Sequence, residues 1–327
     1  MKHSKIFVFA AVLCLLAAAA SISFGQVAVL PREIFRIISG EQTAYRSIFL
    51  YSRLPRTLAC LLAGAALSVS GAVLQRVLAN HLASPGIIGV NAGAGLGVTM
   101  CCAMGALSGW AVSISAFLGS LAAIIAVTLL AYRSGASKTT VILSGVALNS
   151  ILNAASEAIA VLAPDVAVMS IDFRVGGFSA VSYGRLLPAA ILILIALVIL
   201  FSLCNELDVL ALGDETAGGL GLRVKVYRFL FLCLASLLAG AAVSFAGLLG
   251  FVGLIIPHIG RKLIGSECRQ LLPVSAMLGA GCVTACDLIA RIIFIPYELP
   301  VGVLMSVIGG PVFVALLLGR KGGRSHA

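Results

Sequence analysis

Long apolar runs alternate with short polar segments along the chain, and the runs predict its architecture. They fall at Ile6–Phe24, Leu54–Val77, Ile87–Met104, Trp110–Ala131, Val141–Leu162, Leu186–Leu203, Phe229–Ala246, Leu254–Ile264, Leu271–Phe294 and Leu299–Leu318. Most approach the roughly 20 residues that carry a helix across a hydrocarbon core. Leu254–Ile264 is too short to cross alone and is expected as a short span sheltered by its neighbours. Membrane barrels would show brief alternating segments instead. The pattern predicts an all-α integral membrane protein with about ten transmembrane helices. Composition agrees: 61% of the 327 residues are hydrophobic and 10% charged, with mean hydropathy +1.15. The first run follows Lys2 and Lys5 and carries small residues at Ala17–Ala20, the outline of a secretory signal. It is read as a retained helix over residues 1–25, with cleavage as the alternative.

One stretch occurs twice. "LACLLAGAALSVSG" begins at Leu58 and "LASLLAGAAVSFAG" at Leu234, ten of fourteen positions identical at an offset of 176 residues. The copies sit in the second and seventh runs, five spans apart, so they cross in opposite directions. This predicts one transmembrane domain of two inverted four-helix units, residues 53–162 and 229–318. A linking helix at 186–204 and a polar segment at 205–228 join them. Inverted repeats are a transporter architecture. Gly64, Ser68 and Gly71, and their counterparts Gly240, Ser244 and Gly247, form small faces that let helices approach closely in lipid.

Charge orients the spans. With the N-terminus in the cytoplasm, 14 Lys and Arg fall inside and 8 outside, and both ends are inside. The outside group is Arg32, Arg36, Arg46, Arg53, Arg56, Arg174, Arg185 and Arg291, many for an external face. The net charge of +10 is partly this topology and does not point to nucleic acid.

No covalent chemistry is foreseen. The nine cysteines lie mostly in apolar runs without loop Cys-x-x-Cys pairs, and read as apolar fillers. No catalytic set or metal cluster is expected, and His258 after Pro257 reads as structural. The nearest P-loop candidate, Ser134–Thr140, has Ser137 and Tyr132 where glycines are required. ATP is therefore not bound by this chain. An external energy source remains: a partner ATPase or an ion gradient. Aromatics make up 7%, too few for a large stacking pocket.

Two polar features stand out. Asn149, Asn153 and Glu157 step by four along the fifth run, with Ser150 and Ser156 nearby. Polar groups at membrane depth face protein or a water path, so the stripe either wets a cavity or bonds to neighbouring helices. Asn205–Arg228 mixes apolar residues at helical spacing with charges. It predicts two short surface helices broken at Gly218–Gly221.

Four stretches carry a family resemblance: "RLPRTLACLLAGAALSVSGAVLQ" with "NHLASPGIIGVNAGAGLG", "LALGDETAGGLGL", "GLLGFVGLIIPHIGR", and "DLIAR" followed by "ELPVGVLMSVIGGPVF". Together they resemble the permease subunits of ATP-binding-cassette importers for iron-siderophores, haem and cobalamin, the FecCD family. One departure is His81, where the family usually has proline in Asn-Pro-Leu-Ala. The resemblance implies ten helices and a multi-pass subunit of the bacterial plasma membrane. It implies a homodimer or a pair with a close paralogue, and two copies of a cytoplasmic ATP-binding subunit that hold ATP and magnesium. It also implies an extracytoplasmic substrate-binding protein. It assigns ATPase coupling to Leu212, Gly213, Asp214, Glu215, Ala217, Leu220 and Gly221. Binding-protein docking falls to Arg53, Arg56 and Arg291, read as exposed, with lipid anchoring or an Asp287–Arg291 helix pair as the other readings. The translocation path falls to Asn149, Asn153 and Glu157. A ferric siderophore or similar chelate is the expected cargo. Cobalamin, haem or a gradient-driven mechanism are alternatives.

Overall fold

A computed structural model describes residues 2–26, 29–41, 43–133 and 138–318. The first four residues of the P-loop candidate lie outside these, as do Arg320, Lys321 and Arg324. Among the described residues the secondary structure is helical throughout. In chain order come α1 (Lys2–Ser23), α2 (Pro31–Ile38), α3 (Arg46–Ile48) and a π-helical turn (Phe49–Arg53) leading into α4 (Leu54–Val77). There follow α5 (Val90–Ala103), α6 (Gly109–Arg133), α7 (Lys138–Leu162), α8 (Pro164–Val175), α9 (Tyr183–Ser202), α10 (Cys204–Ala211) and α11 (Asp214–Gly219). The last four are α12 (Val224–Ala246), α13 (Val252–Ile264), α14 (Cys268–Ile292) and α15 (Val301–Leu318).

The ten apolar runs correspond to α1, α4–α7, α9 and α12–α15. Seven of these helices are long and apolar enough to cross a membrane. The other three are shorter: α5 has 14 residues, α13 has 13, and the apolar part of α15 covers Val301–Ala315. The short α13 is buried along one side, as a sheltered span requires.

α4 and α12 form the centre, packed on each other and 78% buried over their apolar windows. α4 packs most extensively on α14, and α12, after α4 itself, on α6. Each unit's first helix therefore docks on the third helix of the other unit, the exchange expected of inverted halves. The duplicated small residues make these contacts. A Cβ on Gly64 would lie 2.2 Å from the Gly279 carbonyl oxygen, and one on Gly240 would lie 2.3 Å from Ser120 Oγ. Ser68 Oγ donates to the Ser275 carbonyl at 2.7 Å, and Ser70 Oγ to that of Ala235 at 2.5 Å. With no hydrophobic drive between helices in lipid, such backbone approach and interhelical bonding hold the bundle.

Candidate functional site: a polar cavity, a coupling surface and an arginine cluster

The α7 stripe opens onto a cavity of about 420 Å³. Asn149, Asn153, Ser156 and Glu157 line it together with Gly86, Asn91, Ala92, Gly95, Arg174 and Leu248. Asn149 is half-buried and donates to the Gly86 and Ile87 carbonyls at 2.7 and 3.1 Å. This serves interhelical bonding as well as the cavity wall. Asn153 and Glu157 are exposed on the single chain. Asn91 is not marked by the sequence, and Arg174 enters there only among the external arginines. Arg174 leaves a trace there, as a lone cation before Gly176–Gly177. Its Nη2 donates to Thr99 Oγ1 at 3.3 Å.

Arg174 sits on α8, in a segment the hydropathy pattern leaves as a loop. After α8 the chain meets the end of α12 and the start of α15 in a knot of irregular backbone. Leu248 N–H donates to the Phe173 carbonyl at 3.0 Å, Gly177 N–H to Ala246 at 2.9 Å, and Gly302 N–H to Gly176 at 3.2 Å. Such backbone is tolerated at membrane depth only inside protein or along a water path. A second cavity, about 380 Å³, borders the same junction through Asp172, Phe173, Gly176 and Gly247, and reaches Arg56, Arg185 and Glu298. The junction thus separates a polar cavity from one leading to the arginine end of the bundle.

At that end Arg56 and Arg291 converge on the carboxylates of Asp287 and Glu298, with Arg53 beside them. Arg56 holds Asp287 through Nε and Nη2 at 3.0–3.2 Å and Glu298 through Nη1 at 2.8 Å. Arg291 pairs with Asp287 at 3.0 Å and donates to Ser21 Oγ at 2.6 Å, which bonds Thr57 Oγ1 at 2.8 Å. Arg53 Nη1 donates to the Ile22 and Ser23 carbonyls at 2.7 Å, capping the carbonyl end of α1 where a cation suits the helix dipole. The expectation of exposed arginines is corrected here. Arg53 and Arg291 are 5% and 4% exposed, because the end of α1 and Asp287 take their donors. Arg56 borders the second cavity but is covered by Glu298. The i,i+4 Asp287–Arg291 pair, the bland alternative, is present.

At the opposite end, α10 and α11 lie across the ends of α4, α12 and α14. Asp208 pairs with Arg76 and accepts the Cys268 N–H at 3.0 Å, tying α10 to α4 and to the start of α14. Asp214 pairs with Arg228 at 2.5 Å. Ala217 is fully buried and seats α11, while Leu212, Asp214, Glu215, Leu220 and Gly221 are exposed and Gly213 is half-buried. Two short helices are present as expected, but the break between them is at Leu212–Gly213. Gly218–Gly221 instead ends the second helix. Gly213 has φ +111° and stands before the acidic first turn Asp214–Glu215, a start signal visible in the sequence. Beside it runs a groove of about 700 Å³ lined by Leu203, Glu206, Val209, Leu220, Val226 and Tyr227, among others.

Residues 13–319 match the model of the FecCD transport family. The chain is 35% identical over 321 residues to the probable siderophore transport system permease protein YfhA of Bacillus subtilis, covering 95% of this chain and 94% of that one. It is 33% identical to the hemin transport system permease protein HmuU of Yersinia pestis, covering 97% and 96%. It is 36% identical to the vitamin B12 import system permease protein BtuC of Escherichia coli, covering 96% and 94%. A solved structure described as an inward-facing conformation of a putative metal-chelate type ABC transporter superposes with TM-score 0.87 at 28% identity, covering 97% and 99%. The gradient-driven alternative therefore falls away, and the fold lies in the inner membrane as a multi-span protein. The chain belongs to the FecCD transport family and is a membrane permease subunit of an ATP-binding-cassette importer.

Proposed function

We propose that the chain forms half of the path for a ferric siderophore or similar iron chelate, paired with a second copy and driven by two ATPase subunits. The carrying observation is the polar cavity. Asn153 and Glu157 are exposed on α7, a helix only 11% buried over its apolar window. Polar groups are not stable against lipid, so this face belongs against a second copy and a water path. Among the described residues the lining has amides, a carboxylate and Arg174 but no aromatic ring, which suits weak passage of a hydrophilic chelate. Specificity then rests with the binding protein. We place both chain termini and α10–α11 in the cytoplasm and the arginine cluster outside, with the backbone junction as the barrier that opens during transport. Binding-protein carboxylates would meet the cluster at Arg56. Pull-down of the tagged protein from its membrane in mild detergent tests the assembly. A vanadate-sensitive ATPase should co-purify, and its absence from several detergents would reject this reading.

Two expected results follow for the path and the coupling surface. Glu157→Leu should lower uptake several-fold at normal expression, since Glu157 is exposed on the single chain and lines the cavity; unchanged uptake would assign it no part in the path. Gly213→Val and Gly221→Val should leave insertion intact, because nothing among the described residues lies within 4 Å of an added Cβ. Their positive φ values would cost about 1–3 kcal/mol of local strain, tilting α11 and uncoupling ATP hydrolysis from uptake. The surface itself can be mapped with Leu212→Cys, which should label with maleimide when free and be protected by the ATPase. Cys204 on α10 should stay silent, since burial pushes its thiol up to about 11. Equal labelling with and without the ATPase would remove Leu212 from the interface.

A further inference from the structure

We infer that the groove between the end of α9 and the start of α12 is a binding site for a phospholipid with a primary-amine headgroup. Its volume is about 700 Å³, within the roughly 300–1,000 Å³ of pockets that enclose small molecules. α9 and α12 are both long and apolar enough to cross a membrane, and they pack on each other. α9 ends at Ser202 and α12 begins at Val224. The groove therefore lies where two spans leave the hydrocarbon, at the level of the headgroups.

Its walls and its mouth differ in chemistry. Leu203, Val209, Leu222, Val226 and Leu230 make the walls apolar. The apolar surface runs on along the spans: Ile199, one turn before Leu203 on α9, and Phe229, beside Leu230 on α12, are both exposed. On spanning helices such side chains meet acyl chains, which are as apolar as they are. Asn205, Glu206 and Arg223 supply the polar part.

The two charges there are left open. Arg223 is exposed, and its side chain has no ion pair or hydrogen bond among the described residues. Glu206 is half-buried, and its Oε2 is closed to water without a donor among the described residues. The nearby cations are engaged elsewhere: Arg76 with Asp208, and Arg228 with Asp214. Arg269 acts on the Cys204 thiol but forms no ion pair with Glu206 among the described residues. An acid in the first turn of α10 suits the helix dipole, which accounts for its sign but not for its missing partner. A buried carboxylate oxygen left unbonded is unfavourable, and a cationic donor arriving in the groove would neutralise the group.

Glu206 and Arg223 are opposite in sign, share one groove and do not pair with each other. A zwitterionic headgroup answers both. Its phosphate suits the fork of donors on Arg223, and its ammonium donates N–H groups to Glu206, with the Asn205 side-chain carbonyl as a further acceptor. An anionic headgroup would satisfy Arg223 alone and bring no cation to Glu206. A trimethylated amine brings the cation but no N–H. Leu220 and Gly221 border the groove as well, so a lipid seated here steadies the end of α11, the helix assigned above to coupling.

The test is thermal unfolding of the purified full chain in neutral detergent. The probes are dioctanoyl phosphatidylethanolamine, dioctanoyl phosphatidylcholine and dioctanoyl phosphatidylglycerol. Phosphatidylethanolamine should give a saturating rise in melting temperature. Its half-saturating concentration should be roughly tenfold below that of the other two, the effect of one charge-assisted hydrogen bond. Glu206→Gln should remove this preference without lowering the melting temperature in the absence of lipid, which separates binding from folding. Arg223→Gln should weaken phosphatidylethanolamine and phosphatidylglycerol alike, and Arg223→Lys should retain both. Lys225→Gln, at an exposed cation outside the groove lining, should respond as wild type. Equal shifts with phosphatidylethanolamine and phosphatidylcholine, an unchanged preference in Glu206→Gln, or the same loss in Lys225→Gln would overturn the site. Loss of ATPase co-purification from Glu206→Gln with the lipid preference intact would overturn it too, and assign the groove to the ATPase.

Discussion

Gly71→Ala should abolish stable folding of the permease, although it adds a single methyl group. A Cβ at Gly71 would sit 1.8 Å from the Gly253 carbonyl oxygen and within 2.6 Å of the Gly253 Cα. Both are backbone atoms, so α4 and α13 must part. Overpacking in a rigid core already costs about 1–3 kcal/mol, and here no side chain can turn aside. Separating the helices would also pull Gln75 from the Gly253 carbonyl. The measurement is the yield of monodisperse protein after detergent extraction. Gly310→Ala is the control, because nothing among the described residues lies within 4 Å of its added Cβ, and it should extract normally. Recovery of Gly71→Ala at the wild-type level would show that the two helices are not in close contact.

Asp287→Ala should be the most damaging change outside the glycine contacts. The Asp287 side chain is 1% exposed and neutralises both Arg56 and Arg291. Its removal leaves two buried guanidinium groups facing one another with only Glu298 at the edge. Breaking a buried pair from one side typically costs about 3–5 kcal/mol. Glu298→Gln should cost under about 1 kcal/mol, since its side chain is 30% exposed and water takes over. Melting temperatures of the two variants in one detergent compare them directly; similar values would mean that Asp287 does not hold the cluster. The same geometry bears on docking. Charge reversal at Arg56 would set a third carboxylate against Asp287 and Glu298 and damage the fold. Glu298→Gln is therefore the better variant for probing this surface with a binding protein.

The helices were legible in the sequence because lipid demands long continuous apolar runs, and the inverted halves because the small-residue face of α4 recurs in α12. The stripe Asn149, Asn153, Glu157 was legible for the same reason: polar groups four apart in an apolar helix stand out. What escaped depends on contacts distant in sequence. Arg56 and Asp287 are 231 residues apart, and nothing local marks a surface arginine from one that clamps another helix. Arg174 joins the cavity through α8, a 12-residue helix too short and mixed for a hydropathy pattern. The turn at Gly213 was open to reading from its acidic neighbours, but the denser glycines at 218–221 drew the break away.

The exchanged packing bears on how the protein is made. Ser68 on α4 bonds to Ser275 on α14, 207 residues later. At 5–20 residues per second, roughly 10–40 s of synthesis separate the two. During that interval the glycine face of α4 lacks its partner, while the Ser68 hydroxyl can rest on the Gly64 carbonyl of its own helix. The N-terminal half cannot complete itself as a folding unit, and α12 finds part of its seat on α6, already made. The packing of α4 on α14 therefore closes only after the second half is inserted.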